Sequence, residues 1–335
     1  MALIDAIVIS DELDLLEFRF DYLDSSVDAF VVAESRQTFS GAAKDLVFWN
    51  NRARFQRWAN KTHHFIYEPI TEATRWERQE VAKAKALSFA LTLAGDGAVQ
   101  FMDVDEFPSR DQMQAMRSLS TVKSIPLTTY YRRANWRVKY SPYLPFASAV
   151  PLGTDICDVP GKGMHQVGLA PVGGSPGAHF SYLGFDAAAL ATKYASFSQA
   201  DLDHEGSSDN RLLQLADALR LDHLGRTTWK GNGLLEFQDP SEWSDVQHAL
   251  YQFRPTYFDL EVPRSSIFDR LLGATLIDQV ISRGDRQLIE WIPQDTQLFP
   301  AGLALTQRTQ LTRFLAQNFV ARAHKALKRR VWQKG

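Results

Sequence analysis

The chain is built around AVQFMDVDEFP, residues 98–108. Ala98-Val99-Gln100-Phe101-Met102 is an apolar run bounded upstream by the turn tripeptide Gly95-Asp96-Gly97, a pattern that predicts a buried strand. At its far end it delivers three acids, Asp103, Asp105 and Glu106. In open α/β sheets ligands collect outside the carboxyl ends of the strands. Acids at that edge are therefore placed to hold a cation and, through it, an anionic ligand. Asp103 and Asp105 share a face if the strand continues, and Glu106 points the other way. An isolated D-x-D is more often an acidic turn after a strand, so its context decides.

Upstream, Leu3 to Ile9 is an apolar strand interrupted by Asp5. Ser10-Asp11-Glu12 then carries helix-capping chemistry ahead of the periodic run Leu13, Leu15, Leu16, Phe18, Phe20 and Leu23. Val27 to Ala33 predicts the next strand, ending in Glu34-Ser35-Arg36, and two strands joined by a helix make a right-handed βαβ unit. Trp49 to Trp58, with Arg52, Arg54 and Arg57, reads as a solvated helix face; His63 to Tyr67 is a third strand. Arg75 to Ala94 keeps helical spacing through Trp76, Val81, Ala84, Leu87 and Leu91 and stops at Gly95. Four strands separated by helical segments place this part of the chain in the α/β class.

Downstream, Asp111 to Leu119 predicts a short helix, and Ser124 to Arg137 alternates with aromatic residues. That segment is either a half-buried strand with a wet edge or a platform on which a sugar ring stacks, with Tyr131, Asn135 and Trp136 against an acceptor. Pro151 to Gly177 is too rich in glycine and proline for a core and reads as a loop able to act as a lid. It leads into the strand Ala178 to Gly184, which carries His179 among aromatics. Helices are predicted over Asp186 to Phe197, Ser208 to Leu219, Val246 to Phe253 and Ile267 to Ile281. The division expected is a catalytic domain over 1–235 and a mostly helical extension over 236–335. The extension ends in a basic amphipathic helix within 306–335 that either caps the domain or lies on an anionic lipid surface.

Composition narrows the classes. The 335 residues, 45% hydrophobic and 23% charged, are those of an ordinary globular protein. A net charge of -2 argues against a dedicated nucleic-acid binder, and the single cysteine, Cys157, excludes an intrachain disulfide or a cysteine-based zinc site. The first residues have no basic n-region or cleavage site, and no stretch has the roughly 18 apolar residues of a membrane span. The expected location is the cytoplasm, with any membrane contact peripheral, at the inner face.

A nucleotide diphospho-sugar lying across the carboxyl edge of this sheet gives the acids a purpose. Departure of the nucleoside diphosphate leaves charge on a phosphate oxygen, which a divalent ion stabilises. Hard oxygen ligands suit Mg²⁺ or Mn²⁺, and one imidazole tilts the choice toward Mn²⁺. Asp105, His179 and Asp103, the last through water, could complete such a sphere.

Several segments together resemble one family. They are Ile4-Asp5 with Glu12-Leu13-Asp14-Leu15-Leu16-Glu17, VVAESRQTFSG at 31–41, WERQ at 76–79, and the DVDEFP box. YYRRANWR at 130–137 and HFSYLG at 179–184, with Lys193 and Phe197-Ser198 after it, complete the set. In collinear order over about the first 200 residues, these resemble glycosyltransferase family 17, the bisecting β-1,4-N-acetylglucosaminyltransferases and their bacterial members. The resemblance implies a GT-A type nucleotide-diphospho-sugar transferase fold, a Rossmann-like mixed sheet flanked by helices. It also implies a UDP-sugar donor, a D-x-D metal site and inversion at the anomeric carbon. By position, Asp103 and Asp105 would serve metal and diphosphate with His179 as a third ligand. Ser10 and Glu34 would face the nucleoside, and Arg36 and Arg78 the donor's phosphates or sugar. Inverting enzymes of this fold draw their base from a carboxylate between the D-x-D strand and the late histidine, which favours Asp155 or Asp158, with Glu205 as an outsider. Lys83-Ala84-Lys85 and Ala178 depart from the family pattern. The acceptor, a surface polysaccharide or a lipid- or protein-linked glycan, is left open.

Two rival readings share the same strand. A haloacid-dehalogenase-like phosphatase would use Asp103 as nucleophile, although its motif sits near the N-terminus and lacks a glutamate at the place of Glu106. A non-catalytic carbohydrate-binding protein would need no chemistry at all.

Overall fold

The chain opens with a six-residue strand, Leu3–Val8 (β1), whose side chains alternate between two buried faces. Leu3 and Ile7 join one core with the helix Leu13–Leu23 (α1); Ile4 and Ala6 join another. Asp5, by the same alternation, falls on the α1 face. Ala29–Glu34 (β2) lies parallel to β1, with Phe30 and Val32 toward α1 and Ala29 and Val31 toward the opposite face. A short helix, Val47–Asn50 (α2), and a 3₁₀ stretch, Arg52–Lys61, lead to Thr62–Ile66 (β3), parallel to β2. Arg54 and Arg57 pair with Asp14, Glu17 and Asp21 on α1, so the basic segment meets an acidic helix face.

The computed structural model describes residues 1–70, 73–138, 147–151, 169–196, 209–224, 234–260 and 267–283. Arg75–Leu93 (α3) begins with a reciprocal capping box between Thr74 and Glu77 and packs Leu87 and Ala90 on the β1, β2 and β4 face. Ala98–Phe101 (β4) lies parallel to β1. Then follow Glu106–Phe107 (β5), Arg110–Met116 (α4), Lys123–Ile125 (β6), Leu127–Tyr131 (β7), Trp136–Val138 (β8) and Ala147–Pro151 (β9). Gly177–Ser181 (β10), Ala187–Ser196 (α5), Asn210–Leu219 (α6), Leu235–Phe237 (β11), Asp245–Phe253 (α7) and Ile267–Arg283 (α8) complete the described elements.

The main sheet has the order β3-β2-β1-β4-β9-β6, its first four strands parallel and β9 antiparallel to both neighbours. Helices on both faces of the parallel part give a Rossmann-like α/β architecture. A second sheet runs β11-β8-β7-β10-β5. The alternating segment 124–137 is therefore not one strand: β6 belongs to the main sheet, while β7 and β8 form a hairpin in the second.

Two compact units emerge, residues 1–203 with 236–260, and residues 204–235 with 261–335. Segment 236–260, assigned by sequence to the extension, is part of the first unit. In the second unit α6 and α8 bury Leu212, Leu215, Leu219, Ile277 and Val280 against each other. The predicted basic helix within 306–335 lies outside the described residues. No described helix is long and apolar enough to cross a membrane.

Candidate active site

The site grows from the carboxyl ends of β1, β2 and β4. Beneath it lies a buried ion pair: Arg19 Nε and Nη2 donate to the two Asp5 oxygens at 2.7 and 2.6 Å, and neither side chain touches solvent. Gln100 Nε2 donates to the same carboxylate at 2.7 Å. The remaining Arg19 nitrogen, Nη1, donates to the Asp103 carbonyl at 3.2 Å and to the Glu106 carbonyl. The turn is closed further by Glu106 N–H to Asp103 O (3.0 Å) and by Asp103 N–H to Glu106 Oε2 (2.9 Å). The backbone of the D-x-D turn is thus held from below by one guanidinium and from within by its own glutamate.

β10 fixes the turn from the side. Phe180 N–H donates to the Asp105 carbonyl at 2.8 Å, and β10 pairs antiparallel with β5 so that His179 stands opposite Glu106. His179 Nε2 and Asp105 Oδ2 are 3.6 Å apart, with side chains 16% and 14% exposed. Burial works against the Asp105 carboxylate, yet His179 and Lys193 outweigh it and hold its pKa at about 2. Glu106 goes the other way. Burial and the neighbouring Asp103 and Asp105 push it up to about 7 despite His179 and Lys83. Lys193, on α5, stays protonated against burial because Glu12 (3.6 Å), Asp105 and Asp11 surround it.

The structure brings Asp103, Asp105 and His179 to one edge, but it gives the two aspartates different partners. Asp103 Oδ1 is 2.8 Å from Lys83 Nζ on α3. Among the described residues, no group of three or more His, Cys, Asp or Glu is arranged to hold a metal ion. What is present is a carboxylate oxygen and an imidazole nitrogen converging. With Asp105 itself, the acids Asp11, Glu12 and Asp103 outnumber Lys44, Lys83 and Lys193 there, and Glu106, pushed up to about 7, adds to them when ionised. A hard divalent cation fits such a mixed O/N pair and the surplus negative charge, with phosphate oxygens and water filling the other positions.

The remaining predicted residues fall at varied depths. Ser10 is half-buried at the end of β1, and its carbonyl accepts from Lys44 Nζ at 3.1 Å. Glu12 turns its carboxylate back onto the Ser10 and Asp11 N–H groups, so α1 starts without the side-chain cap its sequence suggested. Glu34 is fully buried. It accepts from the Phe48 and Trp49 N–H groups and from His64 Nε2 (2.7 Å), which together outweigh burial and hold its pKa below the ordinary carboxylate value. Its oxygens therefore organise the start of α2. Arg36 is exposed beside it. Arg78 is committed to the carbonyls of Ile70 (3.1 Å) and Phe39 (3.3 Å) and packs over Gly41, whose φ of 96° suits a residue without Cβ.

The aromatic platform is turned inward. Tyr131, Asn135 and Trp136 are all buried. The Asn135 amide clamps the Asp259 backbone, donating to its carbonyl at 2.6 Å and accepting its N–H at 3.1 Å. Of the two readings of this segment the buried one describes these side chains: Asn135 ties the start of β8 to the 255–260 segment, and Tyr131 packs on Tyr182. Asp155, Asp158 and Glu205, the candidate bases, lie outside the described residues. Sequence reasoning passed over Arg19 and gave Lys83 no role. The signals available were an aspartate inside an apolar strand and an arginine between two phenylalanines of an apolar helix.

A parallel sheet with helices on both faces and acids at its carboxyl edge is compatible with a Rossmann-like glycosyltransferase fold. The Glycosyltransferase family 17 model matches residues 1–143 of the 335. Over that stretch, which carries Asp5, Arg19, Lys83 and the D-x-D turn, the chain is similar to glycosyltransferase family 17, and this match supports a glycosyltransferase. The phosphatase and the non-catalytic binder give way to this assignment. No curated protein matches the chain.

Proposed function

We propose that this glycosyltransferase is a metal-dependent inverting enzyme that moves a sugar, N-acetylglucosamine being the first to test, from a UDP donor to a hydroxyl of a glycan or lipid-linked glycan. The observation that carries the reading is the convergence of Asp105 and His179 at the carboxyl edge of the sheet. These two would hold Mn²⁺ or Mg²⁺. Such an ion, when bound, supplies Lewis-acid stabilisation of the charge developing on the departing UDP.

The chain's own residues contribute the rest. Lys193 sets a second, permanently charged group next to Asp105, where it attracts the diphosphate. Ser10 and Arg36, at the ends of β1 and β2, border the place of the nucleoside and its phosphates. Glu34 shapes that border by holding α2 in place. The base that takes the acceptor proton is sought among Asp155, Asp158 and Glu205. A cytoplasmic enzyme whose basic C-terminal segment rests on the inner membrane face would suit a lipid-linked acceptor.

Calorimetric titration of UDP with and without Mn²⁺ tests the reading. Metal-dependent UDP binding, lost in Asp105→Asn and in His179→Ala, is the expected result. UDP binding that ignores the metal and survives both substitutions would overturn it.

A further inference from the structure

Lys83 is a residue of this site that the metal-dependent reading leaves without a role, and its surroundings say what it does. It projects from α3 with its side chain 11% exposed and places its ammonium 2.8 Å from Asp103 Oδ1. Asp103 has little freedom except in its side chain. Its N–H is bound to Glu106 Oε2, and its carbonyl accepts from Arg19 and from the Glu106 N–H. Which cation the Asp103 carboxylate serves is therefore a question of side-chain rotation within a fixed turn.

We propose that Lys83 is a resident counter-ion that holds Asp103 away from the metal position, leaving Asp105 and His179 as its protein ligands and setting its affinity by competition for Asp103. The proposal deepens the metal-dependent reading above and rests on it. A charge-assisted hydrogen bond ties Asp103 Oδ1 to the ammonium. For Asp103 to ligate a dication, that bond must break, or the ammonium must stay within a few ångströms of a like charge. Lys83 is thus a positioning residue, acting on the metal through Asp103.

The test is a double-mutant cycle on the full chain, read by loss of the free Mn²⁺ signal in electron paramagnetic resonance, with each variant's fold checked by circular dichroism. Lys83→Met keeps the length of the side chain and removes its charge. The expected gain in Mn²⁺ affinity is about tenfold with Asp103 present and at most about twofold with Asp103→Asn also made, a coupling typical of residues in contact. Lys83→Arg, which preserves the pair, should bind Mn²⁺ like the wild type. Appearance of binding only in Lys83→Met would be competition at its strongest and would support the proposal. Equal gains in both Asp103 backgrounds would mean that Lys83 acts only as a nearby charge, and this would overturn the proposal, as would no gain or a loss, while metal binding through Asp105 and His179 stands. Absence of Mn²⁺ binding in the wild type and in every variant would instead overturn the metal-dependent reading, and this proposal with it.

Discussion

Replacing Arg19 with methionine should unbalance the first unit more than any exposed charge change. The side chain is wholly buried, holds both Asp5 oxygens at 2.6–2.7 Å, and also donates to the carbonyls of Asp103 and Glu106. Methionine fills most of the space but leaves the Asp5 carboxylate buried with Gln100 Nε2 as its remaining donor. Removing one partner of a buried ion pair costs about 3–5 kcal/mol, because the other charge stays behind without compensation. For a unit of this size each kcal/mol lowers the melting temperature by about 2–4 °C, so a drop of about 6–20 °C is expected. Urea unfolding followed by tryptophan fluorescence reads this unit, since Trp58, Trp136 and Trp243 are buried in it. Arg57→Met, which breaks the exposed pair with Asp21, is the control and should cost no more than about 1 kcal/mol. Asp5→Leu combined with Arg19→Met should recover much of the stability while Mn²⁺ binding falls below that of the wild type, because the Asp103 and Glu106 carbonyls have lost the guanidinium. An Arg19→Met protein within about 1 kcal/mol of the wild type would refute the argument that this pair anchors the turn.

Other consequences can be checked on the same material. Glu34 has its pKa lowered from 4.5 in the folded chain, so its contribution is complete above 4.5 and is lost as pH falls through the lower folded value. The stability gap between wild type and Glu34→Gln should therefore shrink in denaturant titrations as pH is taken well below 4.5. Gly177→Ala would drive a Cβ into the Phe107 carbonyl and to 2.9 Å from the Pro108 Cα, both backbone atoms that cannot swing aside. A cost of about 1–3 kcal/mol is expected on unfolding, and because His179 lies two residues along β10, Mn²⁺ affinity should fall as well.

Much of the main sheet was legible in the sequence because its strands and helices follow one period each. The run from Leu3 to Ile9, the α1 pattern and the capped α3 helix all appear close to their expected bounds. The α6 helix begins at Asn210 with Asp209 as its cap, two residues after the expected start at Ser208. The D-x-D turn was visible because three acids end an apolar run. What escaped the sequence was pairwise: nothing local says that Asp5 on β1 meets Arg19 on α1, or that Lys83 on α3 reaches Asp103. The second sheet escaped for a related reason. The segment 124–137 alternates as a wet-edged strand would, but Tyr131, Asn135 and Trp136 are buried and Asn135 is bound to Asp259, and only tertiary packing decides that. Arg132 and Tyr182, both at positive φ, leave their strands side by side, joined by Arg132 N–H to Ser181 O, which is where the YYRRANWR and HFSYLG segments meet.

The central claim, that Asp105 and His179 hold a cation which lets UDP leave its sugar, is tested most directly by measuring UDP release from a panel of UDP-sugars with Mn²⁺ or with EDTA. The account predicts release from at least one donor that requires the metal and disappears in Asp105→Asn. Release that is indifferent to EDTA and to that substitution would contradict it.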